Sequence, residues 1–399
     1  MQDVFVRKPS GIEAFFIDLD ACGCNMTMHF YLELDKQPNK ALMDATMKKM
    51  IETHKGMNMK FYRNAWYSSS YIPECRIYDV EGSDLDNFKP GRLDFRKNTV
   101  ALNILHATWT DTWYLCFDFF HGVADGLSGV QFVYNFFDIL NRRRLPEMDF
   151  HVSDCDLVQD DRKPEWEGDL PAFTVLPGCS PTAWNTSKHG QARTAILRCK
   201  NSIHYAAARF SNVVGNYFGG KGAKMIIPVN VRGYAEHSAD KMLFGNLFVP
   251  MFVDVKTCDS WREIHNKIIA FVKRKSRLLT VAKNINLYSK FPTKLRQAVI
   301  RFFLPIVMSS KNFIYCALVS TLGKIDSDRL QSEDVKVKDF TATFESFPFT
   351  AFSVITLQFN ENANTCVSWH SGRVKDEVAN SLVSDLADCL ERDISMAMA

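Results

Sequence analysis

No apolar run in this chain reaches the ~18 residues that a membrane-spanning helix needs. The nearest, Phe302 to Met308, follows Arg301 and is interrupted by Pro305. A large charge excess is missing too. The formal net charge of the 399 residues is +3, far from the strongly basic balance of a nucleic-acid binder. The eleven cysteines, an odd number, are scattered from Cys22 to Cys389. Only Cys22 and Cys24 sit close, and their one-residue gap fits no common zinc spacing. Scattered thiols fit a reducing compartment. Met1 to Lys8 lack the charged-then-apolar order of a signal peptide. The expectation is a cytoplasmic protein with no membrane span and no nucleic-acid partner. Short repeats and low-complexity tracts are also absent.

What remains is an ordinary globular composition, 46% hydrophobic and 23% charged. The length suits two domains. Phenylalanine, at 31 residues, is unusually frequent and points to large apolar cores or a greasy cavity. The first third alternates strand and helix signals. Asn25 to Leu34, Lys60 to Ser68, Thr99 to Thr108 and Trp113 to Phe120 read as strands, rich in aromatic and β-branched residues. Asn39 to His54 shows helical spacing, with Leu42, Met43, Met47, Met50 and Ile51 on one side. A further helix carries Val130, Val133, Phe136, Phe137 and Leu140, and Arg142, Arg143 and Arg144 close it. From Leu145 to about Ser187 periodicity dissolves into Pro, Gly, Asp, Ser and Trp, which reads as a crossover. A second βα series follows. It has strands near 192–199, 225–231, 246–255, 313–320, 335–345, 352–359 and 365–369, and helices near 259–282, 293–304 and 376–394. The expected division is 1–150, a linker over 151–187, and 188–399, each half a mixed α/β layer.

Chemistry concentrates at one point. His121, Asp125 and Gly126 form H-x-x-x-D-G between a strand and a helix. Three fixed residues would arise by chance in a chain this long at roughly the 5% level, so the context carries the signal. A histidine on a turn at a strand end is held rigidly and still meets substrate. Its unperturbed pKa near ~6.5 suits proton transfer. The plain alternatives are a satisfied core histidine and an Asp125 that only caps the following helix. A metal site would need further ligands, and no HxH, HExxH or carboxylate cluster lies nearby.

The stretch Trp113 to Leu140 resembles the core motif of the chloramphenicol acetyltransferase-like superfamily. That group includes alcohol O-acetyltransferases, polyketide-associated acyltransferases and the condensation domains of peptide synthetases. Its signature is H-H-x-x-x-D-G, in which the second histidine is the catalytic base. That histidine falls on His121, the aspartate on Asp125 and the glycine on Gly126. Ile227 to Arg232 resembles the family's proline-valine-asparagine-x-arginine strand end, placing Asn230 and Arg232. Phe244-Gly245-Asn246 resembles the phenylalanine-glycine-asparagine that opens a later strand. Ser320-Thr321-Leu322-Gly323 resembles the serine-asparagine-leucine-glycine turn near the active site. Four motifs in family order cover nearly the whole chain, and they most closely suggest the alcohol-acetyltransferase-like branch. The first signature histidine is Phe120 here, the turn asparagine is Thr321, and the chain between Arg193 and Met225 looks shorter than usual.

The resemblance implies two similar α/β domains with mixed sheets and an active-site tunnel between them, both within one chain, so a monomer is expected. It implies an acyltransferase in which His121 deprotonates a small hydroxyl or amine acceptor that attacks a thioester. The co-substrate is acyl-CoA or a phosphopantetheine thioester, and no bound cofactor or metal is called for. Asp125 would pair with Arg232 and shape the loop. Gly126, Ser320 and Thr321 are candidates for steadying the oxyanion, and Asn230 and Asn246 for fixing the backbone or capping strand ends. Between Arg262 and Lys311 stand twelve Lys or Arg residues and one acid, Glu263. That run is a solvated face or an anion site for donor phosphates or an acyl carrier protein, with Lys273, Arg274, Lys275 and Arg277 at its centre. Two other readings fit the resemblance: a condensation-type enzyme fed by a carrier protein, and a silent member acting as a binding module.

Overall fold

The computed structural model describes residues 3–81, 91–157, 174–175, 192–199, 210, 213–214, 217, 223–234, 241–255, 261–273, 275–309, 312–313, 315–371 and 373–397. In chain order the strands begin with β1 (Phe5–Arg7), β2 (Thr27–Leu34), β3 (Met59–Tyr62), β4 (Ala65–Ser68), β5 (Arg76–Val80), β6 (Val100–Ala107) and β7 (Thr112–Phe120). Next come β8 (Met148–Asp149), β9 (Thr174–Val175), β10 (Ala192–Cys199), β11 (Ala223–Asn230), β12 (Met242–Leu243) and β13 (Phe248–Val255). The last are β14 (Asn312–Phe313), β15 (Tyr315–Ile325), β16 (Val337–Phe344), β17 (Thr350–Phe359) and β18 (Asn362–His370).

Two mixed sheets dominate. A five-stranded sheet has the order β16-β2-β7-β6-β5, and a six-stranded sheet the order β10-β18-β17-β15-β11-β13. The alternation in β7 explains how the first sheet is covered. Phe117 and Phe119 point to one face, where they meet Phe136 and Phe132 of helix α3 (Gly126–Leu140) at ring-centroid distances of 5.1 Å in both cases. The mixed α/β class expected from sequence is the one observed. β16 lies within the segment 188–399, yet it is an edge strand of the first sheet, antiparallel to β2 with Phe344 opposite Met28. The second half of the chain thereby completes the first sheet. The larger apolar core accordingly joins Phe117 and Trp66 to Leu322, Phe340 and Leu357, while a second core gathers Met225, Val249, Phe352 and Trp369.

Several local expectations need correction. Lys60 to Ser68 is a hairpin and not one strand, because Arg63 and Asn64 both take positive φ (48° and 59°) and turn the chain between β3 and β4. The helix expected over 259–282 is observed as Trp261–Lys273 and Lys275–Ser289, reaching past Ala282, and Arg274 between them lies outside the described residues. The next helix, Thr293–Ser309, runs past Leu304 and contains Pro305. The arginine run lies beyond α3, since Asn141 caps the helix and Arg142 has φ 59°. A helix was missed altogether: α1 (Gly11–Ala21), opened by a capping box between Ser10 and Glu13. It is buried nearly all round, including Glu13, Asp18 and Asp20, so it shows no polar stripe for periodicity to catch. Most of the crossover expected over 151–187 falls outside the described residues. Among the described residues no helix is long and apolar enough to cross a membrane.

Candidate active site

β7 delivers His121 to the seam between the lobes. Phe120, the last residue of the strand, is fully buried, its ring stacked 4.8 Å from that of Phe95. One residue on, the His121 N–H donates to the Met26 carbonyl at 2.8 Å. The chain then folds back over Phe120: a Cβ at Gly122 would stand 2.2 Å from the Phe120 ring, so glycine is required there. Gly126 marks a second close approach. A Cβ there would lie 2.3 Å from Leu322 Cδ2, which means that α3 begins hard against β15.

The His121 ring is held by aromatic contacts from three elements. Phe16 of α1 stacks on it at 4.5 Å and 13°, Phe344 of β16 meets it edge-on at 5.2 Å, and Phe248 of β13 lies at 6.0 Å. From the second lobe, Asn246 Nδ2 donates to the His121 carbonyl at 2.7 Å. Nδ1 is enclosed and has no hydrogen-bond partner among the described residues. The residue as a whole is only half-buried, so the part that meets solvent is not Nδ1. Burial pushes the imidazole down to about 4, and the adjacent backbone of His121 and Ala124 and the Asp125 charge oppose this only in part. The ring is therefore neutral at pH 7, the form that takes up a proton.

Asp125 sits in the opposite kind of environment. Its Oδ1 caps α3 by accepting from the Ser128 N–H at 2.8 Å. Arg232 grips both oxygens, Nη1 to Oδ2 at 2.8 Å and Nη2 to Oδ1 at 2.9 Å, and the Leu247 N–H donates to Oδ2 at 2.9 Å. Burial alone would raise this carboxyl, but Arg232 and the two N–H donors outweigh it and hold it below the ordinary carboxylate range. Ser128 ties the same knot from beneath. Its hydroxyl donates to the Gly245 carbonyl at 2.8 Å and accepts from the Gly245 N–H at 2.9 Å and from Arg232 Nη2 at 2.7 Å. Asn230 Oδ1 accepts from the Arg232 backbone N–H at 3.0 Å. The strand end after β11, the loop before β13 and the start of α3 are thus pinned at one carboxylate.

The remaining expected residues are placed less centrally. Ser320 and Thr321 are not in a turn. They lie within β15, where the register shifts between Thr321 and Gly323 and Gly323 takes φ +82°. Ser320 is half-buried and Thr321 exposed, and it is Leu322 that touches Gly126. Lys273 is exposed. Arg274 and the side chains of Lys275 and Arg277 lie outside the described residues. Sequence reasoning missed Phe16, Phe248, Phe344 and Ser128. Only Ser128 left a usable sign, three residues after a capping aspartate. Among the described residues one group has metal-ligand chemistry at short range: His29, Cys116 and Asp118, all buried. Its atoms satisfy one another, with His29 Nδ1 2.7 Å and Cys116 Sγ 3.3 Å from Asp118 Oδ1, and Asn103 Nδ2 2.8 Å from Oδ2.

No family model matches the chain, and no curated protein matches it in sequence. Solved structures do match it. Polyketide synthase associated protein 5 from Mycobacterium tuberculosis is 12% identical, with 98% of both chains covered and a TM-score of 0.60. The condensation domain from Monacolin K polyketide synthase MokA is 9% identical over 98% of this chain and 97% of that one, TM-score 0.57. The chain has the condensation-domain fold. The TRI101 protein of F. graminearum, solved with coenzyme A and T-2 mycotoxin, is 9% identical over 96% of this chain and 97% of that one, TM-score 0.58. The two-lobed, chloramphenicol acetyltransferase-like architecture implied by the sequence motifs is therefore the fold the chain adopts, over almost its full length.

Proposed function

We propose that the chain transfers an acyl group from a thioester to the hydroxyl or amine of a small acceptor, with His121 as general base. The observation that carries this is the His121 ring itself. It is clamped between three phenylalanines at the seam of the two lobes and is neutral down to about pH 4. In the proposed step the ring takes the proton of the acceptor O–H or N–H as the acceptor atom attacks the thioester carbonyl carbon. The C–S bond then breaks, and the proton passes from the imidazolium to the departing thiolate. No covalent acyl-enzyme is needed. General-base help of this kind is worth ~10²–10⁴-fold, and positioning and oxyanion stabilisation supply the rest. The Gly126 N–H in the first turn of α3 is the donor proposed for the oxyanion, with Ser320 and Thr321 on the neighbouring strand as further candidates.

Asp125 is assigned no proton. Both its oxygens are occupied by four donors, so its role is to hold the loop that carries His121. The donor is proposed to be acyl-CoA, its phosphates drawn to the basic segment around Lys273, Arg274, Lys275 and Arg277. A carrier-bound phosphopantetheine donor is the second reading, supported by the likeness to a condensation domain. The test is mass spectrometry of products after incubating the full chain with mixed acyl-CoAs and a panel of alcohols and amines, with an acyl-carrier protein run in parallel. New esters or amides from free acyl-CoA support the first reading, and products only with carrier protein support the second. No product in either arm would overturn the enzymatic reading in favour of a binding module.

A further inference from the structure

We infer that the outer face of the helix Thr293–Ser309 rests on an anionic lipid surface. Leu295, Val299 and Phe302 recur at four- and three-residue spacing, so they share one side of the helix, and Phe303 adjoins them. They are 51%, 46%, 66% and 53% exposed. Leu287 and Phe291, on the approach to the helix, are 51% and 50% exposed. Six large side chains half in water make on the order of 500 Å² of apolar surface, the size at which a patch marks an interaction site.

The helix cannot roll to hide them, because its other side is fixed. Arg296 is buried and gives its Nε to Asp18 Oδ2 at 2.7 Å and its Nη1 to the Phe291 carbonyl at 2.7 Å. Gln297 Nε2 donates to Asp18 Oδ1 at 3.1 Å, and Ile300 and Leu304 belong to the larger core. The helix is thus apolar on its inner and outer sides. Its third side carries the exposed Lys294 and Arg301, with the exposed Lys290 in the preceding turn. From Ile264 to Lys311 the sequence has eleven Lys or Arg and no acid at all. An apolar ridge bordered by exposed cations, in a segment without acids, matches the layering of a bilayer surface, acyl chains below and phosphates beside. A second protein copy is the poorer fit. A stable interface buries about 800 Å² per partner, more than the ridge offers, and this chain's own copy would bring like charge. The helix has 17 residues and charged positions along it, so it lies on the surface and does not span it. The opposing helix α1 carries Phe16, which stacks on His121, so the bilayer face lies one helix behind the ring.

Vesicle flotation of the full chain tests this without any catalytic assay, so its outcome is separate from that of the acyl-transfer reading. With phosphatidylserine in phosphatidylcholine vesicles the protein is expected to float. On phosphatidylcholine alone partitioning should be about a hundredfold weaker, since each basic residue near an anionic surface is worth roughly fivefold. Phe302→Glu with Phe303→Glu should abolish binding and leave the melting temperature within a few degrees of wild type. Lys290→Glu, Lys294→Glu and Arg301→Glu together should remove the preference for phosphatidylserine. Failure of wild type to float with either vesicle, or equal binding to both, overturns the inference. So does a concentration-dependent dimer in light scattering that the double phenylalanine variant turns into monomer, since the face would then bind protein.

Discussion

His121 and Asp125 stand four residues apart on one loop, and the fold treats them in opposite ways. Asp125 is buried, met by four donors and held charged, its pKa below the ordinary value although burial works against it. His121 is packed among aromatic rings, its Nδ1 has no partner, and burial prevails to keep it neutral. A charge that the structure satisfies completely is a fastener. A polar group left without its partner in apolar surroundings is one whose proton affinity the fold has altered, and such groups concentrate at reactive sites. The contrast supports the proposed roles independently of any relative: the aspartate as the builder of the loop, and the histidine as the group for chemistry.

The largest effect should come from the reactive member. His121→Ala is expected to lower kcat/KM for acyl transfer by about 10³-fold, within the range of general-base catalysis, with little loss of stability. A variant within threefold of wild type in steady-state kinetics would remove His121 from the role of base.

Breaking the fastener should read out first in stability. Removing one partner of a buried ion pair costs about 3–5 kcal/mol, and Arg232 and Asp125 are only 19% and 8% exposed. Arg232→Ala and Asp125→Asn should each lower the denaturant midpoint and cut activity through loop distortion. The double variant should be little worse than either one alone. Simple addition of the two losses would show that they act separately. Ser128→Ala should do less, on the order of 1–3 kcal/mol, because it strips a buried partner from the Gly245 N–H and from Arg232. A Ser128→Ala protein as stable as wild type in urea would mean that the knot closes without the hydroxyl.

The legibility of these two residues in sequence differed as their environments do. Resemblance to family motifs pointed to His121, Asp125 and Arg232, and the strand-to-helix context of the first two was visible in the alternation of Trp113 to Phe120 and the periodicity from Val130. The wall around His121 was not visible. Phe16, Phe248 and Phe344 come from three elements far apart in the chain, and in a sequence with 31 phenylalanines nothing singles out three. Phe16 was doubly hidden, because α1 is buried on every side and leaves no amphipathic signature. The placement of β16 in the first sheet was equally unreadable. A strand's pattern records which faces are buried and not which sheet it joins. The turn expected at Ser320 to Gly323 became a bulged strand for a similar reason: Gly323 permits φ +82° inside β15, and a glycine inside a strand pattern reads as either.

The smallest predicted effect is the one that probes the aromatic wall directly. Burial takes the His121 imidazole from its ordinary 6.5 to about 4. Between those values the unfolded chain binds a proton that the folded ring does not. The ring therefore subtracts stability as pH falls from about 6.5 to about 4, and above 6.5 it has no such effect. A melting curve against pH cannot isolate this, because Glu13 is pushed up to about 7 and Asp154 to about 6, both mainly by burial. For those two the folded protein holds protons that the unfolded chain releases. Their contribution is full below the unfolded carboxyl pKa and is lost as pH rises through the folded value, the opposite trend in an overlapping window. The acid limb of kcat/KM is free of that cancellation, since it reports the ionisation of the essential base in the free enzyme. It should fall near pH 4 in wild type. Phe16→Leu removes the ring stacked at 4.5 Å but keeps an apolar side chain, so it should move the limb upward by less than one pH unit. At pH 5 that amounts to less than about a twofold loss. A wild-type limb near 6.5 would mean that His121 titrates as an open histidine and that the phenylalanine wall does not enclose it in solution.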